Sequence, residues 1–88
     1  MKYEEEILGK VIRYVFISRR HELGLTQETL SLIANTTRQF ISQVEGGKRQ
    51  PSIFSLSNFA TAVNMTLSEL FTEVDRLYLD FTDNRPNF

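Results

Sequence analysis

QETLSLIANTTRQFISQVE, residues Gln27 to Glu45, has the pattern of two short helices joined by a sharp turn, and the remaining chain is organised as packing for that pair. Leu30, Ile33 and Ala34 recur at i, i+3, i+4, which predicts the inward stripe of the first helix, while Ile41 and Val44 repeat a three-residue step in the second. Asn35 stands between the two, and Asn is the best non-glycine residue for the positive φ that a turn needs just after a helix. Thr37 is placed to cap the second helix and Thr26 the first, each hydroxyl accepting a backbone N–H of the first turn.

The second helix has more polar residues than a core position can use. Arg38, Gln39, Ser42 and Gln43 cluster toward its N-terminal half. Arg can form a forked pair of hydrogen bonds to guanine and Gln to adenine, in a major groove about 12 Å wide that admits one helix. A solvated polar face has the same composition, so these four residues alone leave both explanations open.

Outward from this pair, helix 1 is predicted from about Glu4 to Glu22. Ile7, Leu8, Val11, Ile12, Val15 and Phe16 hold a 3.6-residue stripe, and Glu4, Glu5 and Glu6 suit the N-terminal dipole. Gly24 is the expected left-handed terminator. Tyr14 and Ile17 fall off the main stripe and are expected to meet the last helix. After Glu45, Gly46-Gly47-Lys48-Arg49-Gln50-Pro51 is predicted to form a loop, with glycines for backbone freedom and the cations Lys48 and Arg49 directly after the second helix of the pair. Ser52 is positioned as a cap, with helix 4 expected from about Ser55 to Val63, presenting Leu56, Phe59, Ala60 and Val63 inward and stopping at Asn64. Phe54 is open to two explanations, an exposed side chain or part of a subunit contact.

Thr66 and Glu69 have capping-box spacing for helix 5. Its apolar positions, Leu67, Leu70, Phe71, Val74, Leu77, Tyr78 and Phe81, make a stripe longer than a core of this size would use. A dimer interface over Leu70, Val74, Leu77, Tyr78 and Phe81 is therefore expected. Leu77, Leu79 and Phe81 also alternate, which leaves a short strand open there. Residues 1–81 are expected to form a single domain and 82–88 a frayed tail.

Composition bounds the chemistry. Eighty-eight residues suit one small domain. The absence of cysteine excludes disulfides and thiolate metal sites, and one histidine offers neither a nucleophile–base pair nor a metal cluster, so no catalysis, metal or cofactor is expected. No run approaches the ~20 apolar residues of a membrane span, and a cytoplasmic location is expected. The net charge of -1 hides a segregation. From Lys10 to Pro51, seven cations (Lys10, Arg13, Arg19, Arg20, Arg38, Lys48, Arg49) face three acids (Glu22, Glu28, Glu45) for +4, whereas residues 1–9 carry -2 and 52–88 carry -3. A basic face on a near-neutral chain can still neutralise phosphates.

From Ile12 to Phe71 the chain resembles the Xre/Cro-type, lambda repressor-like helix-turn-helix family. The resemblance is carried by Gly24-Leu25-Thr26-Gln27-Glu28, Leu30, Ile41-Ser42, Glu45-Gly46-Gly47-Lys48-Arg49, Pro51-Ser52, Leu56, Ala60 and Leu67-Ser68-Glu69-Leu70-Phe71. It implies an all-α, five-helix domain with the helix-turn-helix at helices 2 and 3, binding double-stranded DNA as a homodimeric repressor. Arg38, Gln39, Ser42 and Gln43 would then read bases, while Gln27, Thr37, Lys48 and Arg49 hold phosphates. The family pattern also implies an ion pair between Arg20 and Glu45. Ser31, Asn35 and Arg19 depart from that pattern, standing where Ala, Gly and an apolar residue are usual. Two other functions fit the same sequence: an antitoxin that binds a protein partner through its C-terminal region while regulating its own transcription, and a restriction-modification controller.

Overall fold

The computed structural model describes residues 3–83, which form five helices: α1 (Glu5–Glu22), α2 (Gln27–Ile33), α3 (Arg38–Glu45), α4 (Ile53–Ala62) and α5 (Leu67–Asp83). None is long and apolar enough to cross a membrane.

One punctuation scheme repeats through the chain. Each of the first four helices ends on a left-handed residue, Gly24, Asn35, Gly47 or Asn64, with φ of 69°, 56°, 76° and 64°. The N–H of the residue just after each reaches back across the last turn: Leu25 to the Arg20 carbonyl, Thr36 to Ser31, Lys48 to Gln43 and Met65 to Ala60, at 2.8–3.0 Å. These are Schellman ends, which satisfy carbonyls that a helix terminus would otherwise strand. The following helix then opens on a hydroxyl cap. Thr26, Thr37, Ser52 and Thr66 accept from the backbone N–H groups of Thr29, Phe40, Ser55 and Glu69 at 3.0–3.1 Å. At Thr66 the box closes, because Glu69 accepts the Thr66 N–H at 2.9 Å in return. The Ser52 cap explains why α4 starts two residues earlier than the apolar pattern alone predicts.

Val11, Val15, Phe16, Leu30, Ala34, Ile41, Val44, Leu56, Phe59, Ala60, Val63, Leu70, Val74 and Tyr78 pack into one core. Phe16 and Phe59 meet edge to face at 5.6 Å. The second helix corrects the sequence pattern: Ile33 is 54% exposed, and Ser31 is buried in its place. The inward stripe is Gln27, Leu30, Ser31, Ala34, an i, i+3, i+4, i+7 series whose polar members escape an apolar count. Ser31 is tolerated there because its hydroxyl donates to the Glu28 carbonyl at 2.6 Å.

The C-terminal helix brings the larger correction. Leu70, Val74 and Tyr78, expected at a dimer contact, are 0–2% exposed within the single chain. The 18-residue α1 runs antiparallel alongside α5 and covers this surface, so the long stripe is filled by the chain's own first helix. Tyr78 shows the closure: its hydroxyl accepts the Glu4 N–H at 2.9 Å, its ring meets Tyr3 at 4.9 Å, and the Tyr3 hydroxyl bonds Asp75. That hydrogen bond, with smaller contributions from burial and the nearby carboxylate charge, raises the Tyr3 phenol above its ordinary value. Leu77 is half-buried and Phe81 is 64% exposed. Residues 77–81 are helical, and the helix continues through Asp83, past the expected start of a tail; 84–88 lie outside the described residues.

Arg19 closes the other end of α1. Its Nε donates to the Val63 carbonyl at 3.0 Å and one Nη pairs with Glu22 at 3.3 Å. A cation thus covers a C-terminal carbonyl of α4, which accounts for a charge where the family pattern has an apolar residue.

Candidate nucleic-acid interface

The α3 helix is short, and its position is fixed from both ends. At its start Thr37 satisfies the Phe40 N–H, and the core side chains Ile41 and Val44 hold the inner face. At its end Glu45 is the junction of three elements. Arg20 donates to it through Nε at 2.7 Å and Nη2 at 2.9 Å, a forked pair with both side chains about 10% exposed. The remaining Arg20 Nη1 donates to the Leu25 carbonyl at 2.9 Å. Gln27 Nε2 donates to the same carboxylate at 3.0 Å. One buried acid therefore ties the end of α1, the α1–α2 turn and the first residue of α2 to the end of α3.

With the inner face held, Thr37, Arg38, Gln39 and Ser42 are exposed and Gln43 is half-buried. Thr37, Gln39 and Gln43 share an open polar concavity of about 360 Å³ with Thr36, Phe40 and Arg49. Arg38 and Ser42 are exposed beyond its lining. Lys48 is exposed on the Schellman turn after α3. Gln27 is half-buried at the start of α2, with its amide nitrogen oriented by Glu45.

Two residues on this side were not legible as site residues. Phe40 rests against Phe59 at 5.9 Å, and the Arg49 guanidinium lies 5.3 Å above the Phe40 ring. This cation–π contact draws Arg49 back against α3. Phe40 continues the Thr37, Phe40, Ile41, Val44 stripe, which signals packing but gives no hint of the cation above it. The other is Arg13 on α1, whose guanidinium lies against Gly47 of the loop.

Charge pairing divides the molecule. Among the described residues Lys10, Arg19, Arg20 and Arg76 each pair with a carboxylate. Arg13, Arg38, Lys48 and Arg49 pair with none. Three of these four lie on α3 or its following loop, the segment the polar side chains mark.

A short helix seated by its inner face, polar groups on its rim and free cations beside it define a helix-turn-helix DNA-binding transcriptional regulator. The helix-turn-helix family model matches residues 17–70, and the chain belongs to this family, in its Xre or lambda repressor-like branch. The HTH-type transcriptional regulator y4dJ of Sinorhizobium fredii is 33% identical over 68 residues, covering 77% of this chain and 88% of the relative. Control protein C.MunI of a Mycoplasma species is 31% identical over 58 residues, 66% of this chain and 78% of that one. Among solved structures, the clp gene regulator ClgR from Corynebacterium glutamicum has a TM-score of 0.76 at 17% identity, covering 86% of this chain and 81% of its own, and shares the fold.

Proposed function

We propose that the protein is a dimeric, cytoplasmic repressor that reads a palindromic operator by placing α3 in the major groove. Residues 1–81 act as one binding unit. Arg38, Gln39 and Gln43 contact base edges and Ser42 assists, while Gln27, Thr37, Lys48 and Arg49 set the register on phosphates. Gln27 keeps one amide hydrogen beyond its bond to Glu45, and it opens α2, so a phosphate there meets both the side chain and the helix N-terminus. The observation that carries this proposal is the coincidence of unpaired cations with the polar rim of α3.

The second copy is assigned to the margin of α1 and α5. There Tyr14, Leu77 and Phe81 line an apolar groove flanked by Lys10 and Asp80. Under a two-fold axis this apolar floor would meet the same floor of its copy. Selection of bound duplexes from a randomised pool tests the proposal. A palindrome with half-sites about one helical turn apart is expected; recovery of an asymmetric single site, or of no enriched sequence, overturns it. The likeness to a control protein favours a second possibility, a restriction-modification controller acting through the same helices. It differs in target genes and not in the contact made.

A further inference from the structure

We propose that Arg13, on the first helix, is an additional DNA-backbone contact that extends the phosphate-holding surface of the α3–α4 loop onto α1. The inference rests on the DNA-binding function above and adds a residue outside the helix-turn-helix.

Arg13 sits where two glycines admit it. A Cβ at Gly47 would come within 3.2 Å of the Arg13 guanidinium carbon, and a Cβ at Gly9 within 3.2 Å of its Nη1. Gly9 is buried one turn earlier on α1, and Gln50 of the loop approaches it to 3.8 Å from the same Cβ position. The loop therefore lies close against α1, and Arg13 emerges at the seam, lining a narrow cleft with Arg49, Gln50 and Pro51.

A guanidinium carries five N–H donors and no acceptor. Three guanidiniums of this chain are occupied: Arg19 holds Val63 and Glu22, Arg20 holds Glu45 and Leu25, and Arg76 holds Glu73 and Asp80. Arg13 has no carboxylate or hydrogen-bond partner among the described residues and is half-buried, its edge open to solvent at the cleft. Among the described residues it belongs with Arg38 and Lys48, which also have no partner, and it borders the loop that carries Lys48 and Arg49. A planar fork suits a phosphodiester oxygen pair. A duplex seated against α3 and this loop brings its backbone to the same edge.

The test is equilibrium binding of the full chain, wild type, Arg13→Gln and Arg13→Lys, to a random-sequence duplex across a salt series, with inorganic phosphate as a competitor. Arg13→Gln should weaken binding several-fold and reduce the salt slope by about 1, with the thermal midpoint unchanged. Arg13→Lys should retain the slope. Millimolar phosphate should compete no better against wild type than against Arg13→Gln, marking the ligand as the polymer backbone. An unchanged slope in Arg13→Gln, or an equal loss in Arg13→Lys, overturns the contact. Failure of the wild type to bind any duplex at low salt overturns the DNA-binding function as well.

Discussion

The rim of α3 and the outer face of α5 are both polar helix surfaces, yet they handle charge in opposite ways. On α5, Arg76 is held between Glu73 at 2.6 Å and Asp80 at 3.5 Å, an i, i+3 and i, i+4 arrangement that consumes its charge locally. Residues 37–50 contain a single acid, Glu45, and its carboxylate is buried against Arg20 and Gln27. Among the described residues Arg38, Lys48 and Arg49 have no carboxylate partner. A helix surface neutralises its own cations when acids stand one turn away, and α3 lacks them. Its free charge follows from where acids were omitted, since the chain as a whole carries -1.

The largest expected effect comes from breaking the junction that seats α3. Glu45→Ala strands a nearly buried guanidinium and should cost about 3–5 kcal/mol in denaturant unfolding. Breaking the outward-facing Arg76 pair by Glu73→Ala should cost under about 1 kcal/mol, as for exposed pairs generally. On α5 itself, Leu70→Ala should cost about 2–5 kcal/mol, since Leu70 is fully buried in the monomer. Phe81→Glu should leave monomer stability within about 0.5 kcal/mol while weakening self-association, read by sedimentation. Equal stability losses in these two variants would return Phe81 to the core.

At the α3 rim, Gln39→Ala or Gln43→Ala should lower discrimination between selected and scrambled duplexes by about 1–3 kcal/mol. Lys48→Ala should weaken both duplexes alike and flatten the salt dependence. The smallest effect concerns pH. Backbone and then side-chain hydrogen bonding with Thr66 lowers the Glu69 carboxyl below its ordinary value. Its contribution is therefore complete above the unfolded-chain value and is lost as pH falls through the lower folded one. Glu69→Gln should make stability less steep with pH on that acid limb, a change visible in thermal midpoints between neutral and strongly acidic buffers.

Much of the fold is written locally. The left-handed residues Gly24, Asn35 and Asn64 and the caps Thr26, Thr37, Ser52 and Thr66 are set by near-neighbour chemistry, and each stands where its residue type predicts. What a helix faces is not local. Ile33 and Ser31 stand on either side of the Leu30–Ala34 line, and the Gln27–Glu45 bond turns α2 toward the serine. The stripe on α5 is covered by α1 because a residue near position 3 must reach one near 75, a closure that periodicity does not encode. The Arg20–Glu45 pair was legible through family resemblance and has the implied geometry. Arg13 and the Arg49–Phe40 contact depend on how the loop after α3 lies on its neighbours, which no spacing rule gives.

The most direct measurement is a titration of duplex DNA into isotopically labelled protein, following each backbone and side-chain N–H by nuclear magnetic resonance. Resonances of Arg38 to Gln43, Lys48, Arg49 and the Arg13 guanidinium should move first and furthest, with Arg76 and Asp80 unaffected. Shifts confined to α5 and its margin, with the α3 side chains unmoved at saturation, would contradict base reading by α3.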